Sequence, residues 1–154
     1  MADNGTGRVV AGVDGSEPAR RAFRWAVDEA RLRNWEMVAV HAYTIPPYLL
    51  APEPVPLGVV PPDPAFLQQL ETAAEKLLAD EIEQVDTENL VIEERVVAGP
   101  PADALLTAAT EGDLLVVGSR GHGGFKGLLL GSVSQQVANH APCPVVIVPP
   151  PERD

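Results

Sequence analysis

The chain has 154 residues, of which 45% are hydrophobic, and a formal net charge of −11. That size suits one ordinary domain able to bury about two-thirds of its unfolded surface without staples, and no apolar run approaches the ~18 residues of a membrane span. The lone Cys143 excludes an intrachain disulfide or a thiolate zinc cluster, and the acidic balance, with Lys76 and Lys126 the sole lysines, argues against a polyanion held mainly through its phosphates. The opening MADNGTGRVV has an acid and glycines where a secretory signal needs a basic stretch followed by a long apolar one. A cytoplasmic protein is expected, with neither nucleic acid nor membrane as partner.

In chain order, Arg8–Val13 is a continuous β-rich run and reads as the first strand. Ser16 is placed to cap a helix with Glu17 and Pro18 in its first turn, and Ala19, Ala22, Phe23, Ala26, Val27 and Ala30 recur at helical spacing. Glu36–Tyr43 reads as a second strand. Thr44–Pro64 holds eight of the sixteen prolines, which remove donors and block helix, so a long loop without regular structure is expected there. A helix over Ala65–Val85 puts Phe66, Leu70, Ala73, Leu77, Leu78 and Ile82 on one face and acids on the other. Leu90–Ala98 is a strand, Pro101–Thr110 a short helix and Asp113–Val117 a strand. After a glycine-rich stretch, Ser132–His140 is a helix stopped by Pro142, and Val145–Val148 is the last strand. The order βαβαβαβαβ implies a parallel sheet covered on both faces and linked by right-handed crossovers. Residues 1–154 read as one domain, with a core over 8–149, the proline-rich loop at 44–64 and a tail at 150–154.

The stretch GSRGHGGFKGLLLGS, Gly118 to Ser132, contains six of the thirteen glycines. Ligands of open parallel sheets bind beyond the carboxyl ends of the strands, where the winding direction switches. Glycines let backbone approach a ligand closely. With Ser132 as the N-cap, the amides of Ser132, Val133 and Ser134 and the positive end of the helix dipole form an anion site. A helix terminus supplies at most about 2 kcal/mol, whereas micromolar binding needs about 8 kcal/mol. A base and a sugar in the same crevice would provide the rest, so a nucleotide is favoured over free phosphate. There is no G-x-x-x-x-G-K-[ST], and no G-x-G-x-x-G after the first strand, which ends instead in VDGS. Asp14 there either accepts hydrogen bonds from a ribose or an adenine amino group, or caps the helix that begins beside it.

Gly118-x-x-Gly121, nine residues, then Gly131-Ser132, after an apolar strand and before SVSQQVANHAPCPVVIVP, resembles the nucleotide-binding signature of the universal stress protein family, in its ATP-binding subclass. The opening VVAGVDGS and the layout of Arg8–Pro149 match as well. The resemblance implies an α/β, Rossmann-like fold: a five-stranded parallel sheet in the order 3-2-1-4-5 with helices on both faces. It implies that Gly12, Val13, Asp14 and Ala42 line an adenine site, that Val117 and Gly118 meet the ribose, and that Gly121, Gly131, Ser132, Val133 and Ser134 hold the phosphates. ATP or another adenine nucleotide, cyclic AMP included, is the implied ligand, with Mg or Mn held mainly by phosphate and water. A homodimer through PVVIVP, involving Val145, Val146, Ile147 and Val148, is also implied.

Other candidates are weaker. Arg120, His122 and Lys126 lie in or beside the loop as phosphate contacts or as solvated side chains. His41 reads as a buried, satisfied histidine; His140 favours the dipole at its helix end; Trp25 and Trp35 read as core or interface. Asp113 lies at the wrong end of its strand to help Asp14. These residues describe a nucleotide-binding regulator whose ligand favours one of two states. A slow ATPase or nucleotidyl transferase on the same sheet is the alternative. A phosphoacceptor domain is disfavoured, since one acid stands where a metal-holding cluster is needed.

Overall fold

The computed structural model describes residues 7–49, 57–58, 63–120 and 129–151. Its elements are β1 Arg8–Gly12, α1 Glu17–Arg33, β2 Glu36–Tyr43, α2 Pro64–Glu83, β3 Ile92–Ala98, α3 Pro101–Ala108, β4 Leu114–Gly118, α4 Ser132–His140 and β5 Val145–Val148. The five strands form one parallel sheet in the order β3-β2-β1-β4-β5. After β2 and β3 the chain steps back across β1 to add β4 and β5 on its other side. The central pair β1 and β4 is therefore where the winding direction reverses.

Both faces of the sheet are covered, which is why its strands read as continuous apolar runs. Val9, Ala11, Met37, Ala39, Leu114 and Val116 pack under α1 and α2. Val10, Val38, Val40, Leu115 and Val117 pack under α3 and α4. The stripe Ala19, Ala22, Phe23, Ala26, Val27 and Ala30 is buried as its spacing required. Its small residues bring α1 close to the sheet, and Phe23 and Val27 each contribute about 1.5–3 kcal/mol of burial. Ser16 caps α1 through Ala19 N, and Asn34 ends the helix in the left-handed region at φ 56°.

Several expectations need correction. Within 44–64 the chain makes a 3-10 turn at Pro47–Leu49, and residues 50–56 and 59–62 lie outside the described ones. The third strand begins at Ile92, because a turn at Glu88–Asn89, with Asn89 at φ 65°, precedes it. The buried side of α2 is Ala74, Leu78, Glu81 and Ile82, while Phe66 and Ala73 face out. The buried face is the one on which Leu78 and Ile82 join the core, and on it Arg20 of α1 meets Glu81 in a two-pronged contact at 2.6 and 2.8 Å. That hydrogen bond from Arg20 outweighs burial and holds the Glu81 carboxyl below the usual range. Trp25 is 37% exposed and not part of the core. Trp35 is half-buried beside the core, with the Arg33 guanidinium 4.9 Å above its ring.

At the amino ends of β1 and β4 sits a polar knot. Buried Asp113 accepts from Arg8 N at 3.0 Å, from Arg8 Nη2 at 2.7 Å, from Thr110 N at 2.8 Å and from the Thr110 hydroxyl at 3.0 Å. Burial pushes the Asp113 carboxyl up, but the hydrogen bonds from Arg8 and Thr110 prevail and hold it below its ordinary value. Asp113 is thus a structural acid at the far end of the sheet from β1's exit. No helix among the described residues is long and apolar enough to cross a membrane.

Candidate functional site

The carboxyl ends of β1 and β4 are neighbours, as the register Val9↔Leu114 to Ala11↔Val116 requires. Past β1, Val13 continues the ladder with its amide, which donates to Val40 O at 2.8 Å. The Val13 carbonyl accepts from His41 Nδ1 at 2.7 Å. His41 is buried, as its reading as a satisfied core histidine required. Residues of a parallel strand direct their amide and carbonyl alternately to the two neighbouring strands. Because Val40 addresses β1, Ala42 addresses the same side, where β1 has already turned away.

Asp14 uses Oδ1 to accept from Ser16 N at 2.8 Å and from the Ser16 hydroxyl. Ser16 Oγ in turn accepts from Ala19 N at 3.3 Å. Asp14 thus braces the residue that caps α1, while the cap itself is Ser16. Gly15, at φ 79°, makes the bend that turns β1 into α1. Gly12 lies against Leu105, 3.3 Å from where a Cβ would sit. Gly118 has a packing reason to be glycine: a Cβ there would lie 2.9 Å from the Pro18 carbonyl oxygen of α1. No feature of the sequence pairs Gly118 with Pro18; only the approach of α1 to β4 does.

The start of α4 differs from its expected form in two ways. The N-cap is Gly131, at φ −77° and ψ 174°, and Ser132 is the first helical residue. Gly131 N donates to Ser119 O at 2.7 Å, which holds that residue extended and moves the cap one position back. Among the described residues no side chain caps this helix, and no acid stands in its first turn. The amides of Ser132, Val133 and Ser134 are the ones a helix start leaves without intrahelical partners. The Ser134 side chain, by contrast, is buried and turned inward, its hydroxyl 3.0 Å from both Ser119 O and Gly131 O. Its hydroxyl is thus occupied, and what Ser134 offers a ligand is main chain.

Ser119, which the motif spacing did not single out, ties the two ends of the glycine stretch together. Its amide donates to Val148 O of β5 at 3.0 Å, and its carbonyl receives Gly131 N and Ser134 Oγ. Gly12, Val13, Asp14, Ala42, Val117, Gly118, Gly131, Ser132, Val133 and Ser134 all lie at this end of the sheet. Gly121, His122 and Lys126 fall outside the described residues. Among the described residues no group of three or more His, Cys, Asp or Glu side chains is placed to hold a metal ion.

Comparison with known proteins agrees with this fold. Residues 5–149 match the model of the universal stress protein family. A universal stress protein from Thermus aquaticus is 36% identical over 145 residues, covering 91% of this chain and 96% of that protein. One from Mycolicibacterium smegmatis is 36% identical over 144 residues, covering 92% of this chain and 45% of the relative. The chain thus spans somewhat under half the length of the mycobacterial relatives it matches. A solved universal stress protein in complex with cAMP is 30% identical, with a TM-score of 0.59 over 93% of this chain and 96% of that one. The UspA structure from Lactobacillus plantarum, 21% identical, shares the fold with a TM-score of 0.66 over 93% and 97% of the two chains.

Proposed function

Because the chain belongs to the universal stress protein family, we propose that this stress-response protein binds an adenine nucleotide, ATP foremost, at the carboxyl ends of β1 and β4. The observation that carries the reading is the start of α4, which among the described residues has no side-chain cap and has no acid in its first turn, set beside the bend of β1 at Asp14. Its amides and dipole take the phosphates. Gly131, Ser132, Val133 and the Ser134 main chain form that cradle together with Gly121 of the signature. The nucleoside lies between the ends of β1, β2 and β4, with the base against Gly12, Val13, Asp14 and Ala42 and the ribose against Val117 and Gly118. The complex of a 30% identical relative with cAMP supports an adenine ligand and leaves cyclic AMP as the competing guest. A divalent ion, Mg or Mn, would be held through phosphates and water, since the described side chains supply no cluster for it.

One such domain acts in the cytoplasm as a binder whose nucleotide favours one conformation or partner over another. Two copies pair through β5, an outer strand of the sheet with β4 as its neighbour on one side, whose other edge calls for a partner. Calorimetric titration with ATP, cyclic AMP, GTP and inorganic triphosphate, with and without Mg, tests the ligand. ATP is expected to bind with micromolar affinity, and Asp14→Ala to weaken ATP about tenfold while leaving triphosphate unchanged. Equal loss for both ligands would place Asp14 outside the nucleoside site.

A further inference from the structure

We infer that His41 is a positioning residue for the nucleobase edge of this site: its ring holds the Val13 carbonyl where β1 stops, keeping the gap between the ends of β1 and β2 open. The inference rests on the adenine-nucleotide reading above.

The Val13 amide donates to Val40 O at 2.8 Å, so the ladder between β1 and β2 is intact up to that rung. The next rung of a parallel pair would run from the Ala42 amide to the Val13 carbonyl. Among the described residues that rung is replaced by a side chain, His41 Nδ1 lying 2.7 Å from the Val13 oxygen. A carbonyl only accepts, so Nδ1 carries the hydrogen and donates. Val13 is 6% exposed and His41 8%, which makes this a buried bond whose acceptor would otherwise need another partner. In the register of this pair the donor that would take its place is the Ala42 amide. With the histidine in place, Ala42 keeps an amide and a carbonyl addressed to the gap, a donor beside an acceptor, which is the pattern an adenine edge matches. Without it, Val13 would pair with Ala42 and close the ladder over the base position.

The experiment compares the wild-type chain, His41→Phe and His41→Asn by titration with ATP and with inorganic triphosphate. Asn retains an N–H donor at about the place of Nδ1. His41→Phe is expected to weaken ATP about tenfold and to leave triphosphate unchanged, with His41→Asn restoring most of the loss. Amide hydrogen exchange should show Ala42 more protected in His41→Phe than in the wild-type protein. Long-range ¹⁵N–¹H spectra of the ligand-free wild-type protein should show the Nδ1-protonated ring. Wild-type ATP affinity in His41→Phe, equal weakening of both ligands, or an Nε2-protonated, Nδ1-bare ring would each overturn the inference. If the wild-type protein binds no adenine nucleotide while its ring is Nδ1-protonated, the nucleotide reading has failed and this inference falls with it. If ATP binds and His41→Phe matches the wild type, the inference alone has failed.

Discussion

Two helices begin at the same end of the sheet, each after a central strand, and they are finished in opposite ways. At α1, Ser16 caps Ala19, Asp14 binds Ser16, and Glu17 adds a negative charge to the first turn. At α4, Gly131 is the cap, no side-chain cap hydrogen bond is present among the described residues, and the first turn carries no acid. The two helix starts thus meet unequal surroundings: among the described residues one has a side-chain cap and an acid in its first turn, the other has neither. Within an acidic chain of net charge −11, the proposed anion site rests on this local arrangement rather than on the field of the whole molecule. A saturated helix start adds stability; an unsaturated one gives up some of it and gains a site.

The contrast can be broken from either side, and a third polar cluster serves as control. The largest expected effect is on stability at the opposite end of the sheet. Asp113→Ala strands the Arg8 guanidinium and the Thr110 amide, and is expected to cost about 3 kcal/mol, lowering Tm by roughly 6–12 °C. ATP affinity at 25 °C should be unchanged. The sign with pH follows from its depressed carboxyl: the wild-type advantage is full above the unfolded value near ~4 and disappears as pH falls through the lower folded value. Thermal melts of both proteins from neutral pH down to acid check this.

Next comes Gly131→Asp, which gives α4 the finish of α1. It is expected to leave Tm unchanged or slightly raised, since a side-chain cap replaces glycine. ATP should bind about 100-fold more weakly, or about 2.7 kcal/mol, because the carboxylate both occupies the amides and repels phosphate. A Gly131→Asp protein with wild-type ATP affinity would remove the distinction between the two helix starts. The smallest effect is expected from Ser16→Ala, which strips the cap of α1. About 1 kcal/mol of stability should be lost, roughly 2–4 °C in Tm, with inorganic triphosphate binding unaltered.

Much of this arrangement was legible in the residues. The apolar runs and the α1 stripe follow from periodicity, and α4 and β5 have the bounds expected of them, Ser132–His140 and Val145–Val148. The strand order came with the family resemblance and matches the sheet observed. What escaped is set by contacts between distant segments. Ser132 has the side chain of a cap, yet Ser119, thirteen positions earlier, fixes Gly131 in that role through its carbonyl. Ala73 and Phe66 fit a helical stripe on α2, but the face that packs on the core is Ala74, Leu78, Glu81 and Ile82, where Arg20 of α1 meets Glu81. Ser134 reads as a site residue through its amide, and only the fold shows where its hydroxyl goes, to the main-chain carbonyls of Ser119 and Gly131. Gly118 reads as a ligand-facing residue, although the Pro18 carbonyl alone already forbids a side chain there.

The most direct test of the open helix start is amide mapping by ¹H–¹⁵N NMR during a titration of the wild-type protein with ATP and Mg. The Ser132, Val133 and Ser134 amides should shift and saturate together with those of Asp14 and Ala42, while Ala19 and the first turn of α1 stay still. Saturable shifts confined to other parts of the chain, or none at all, would contradict the account.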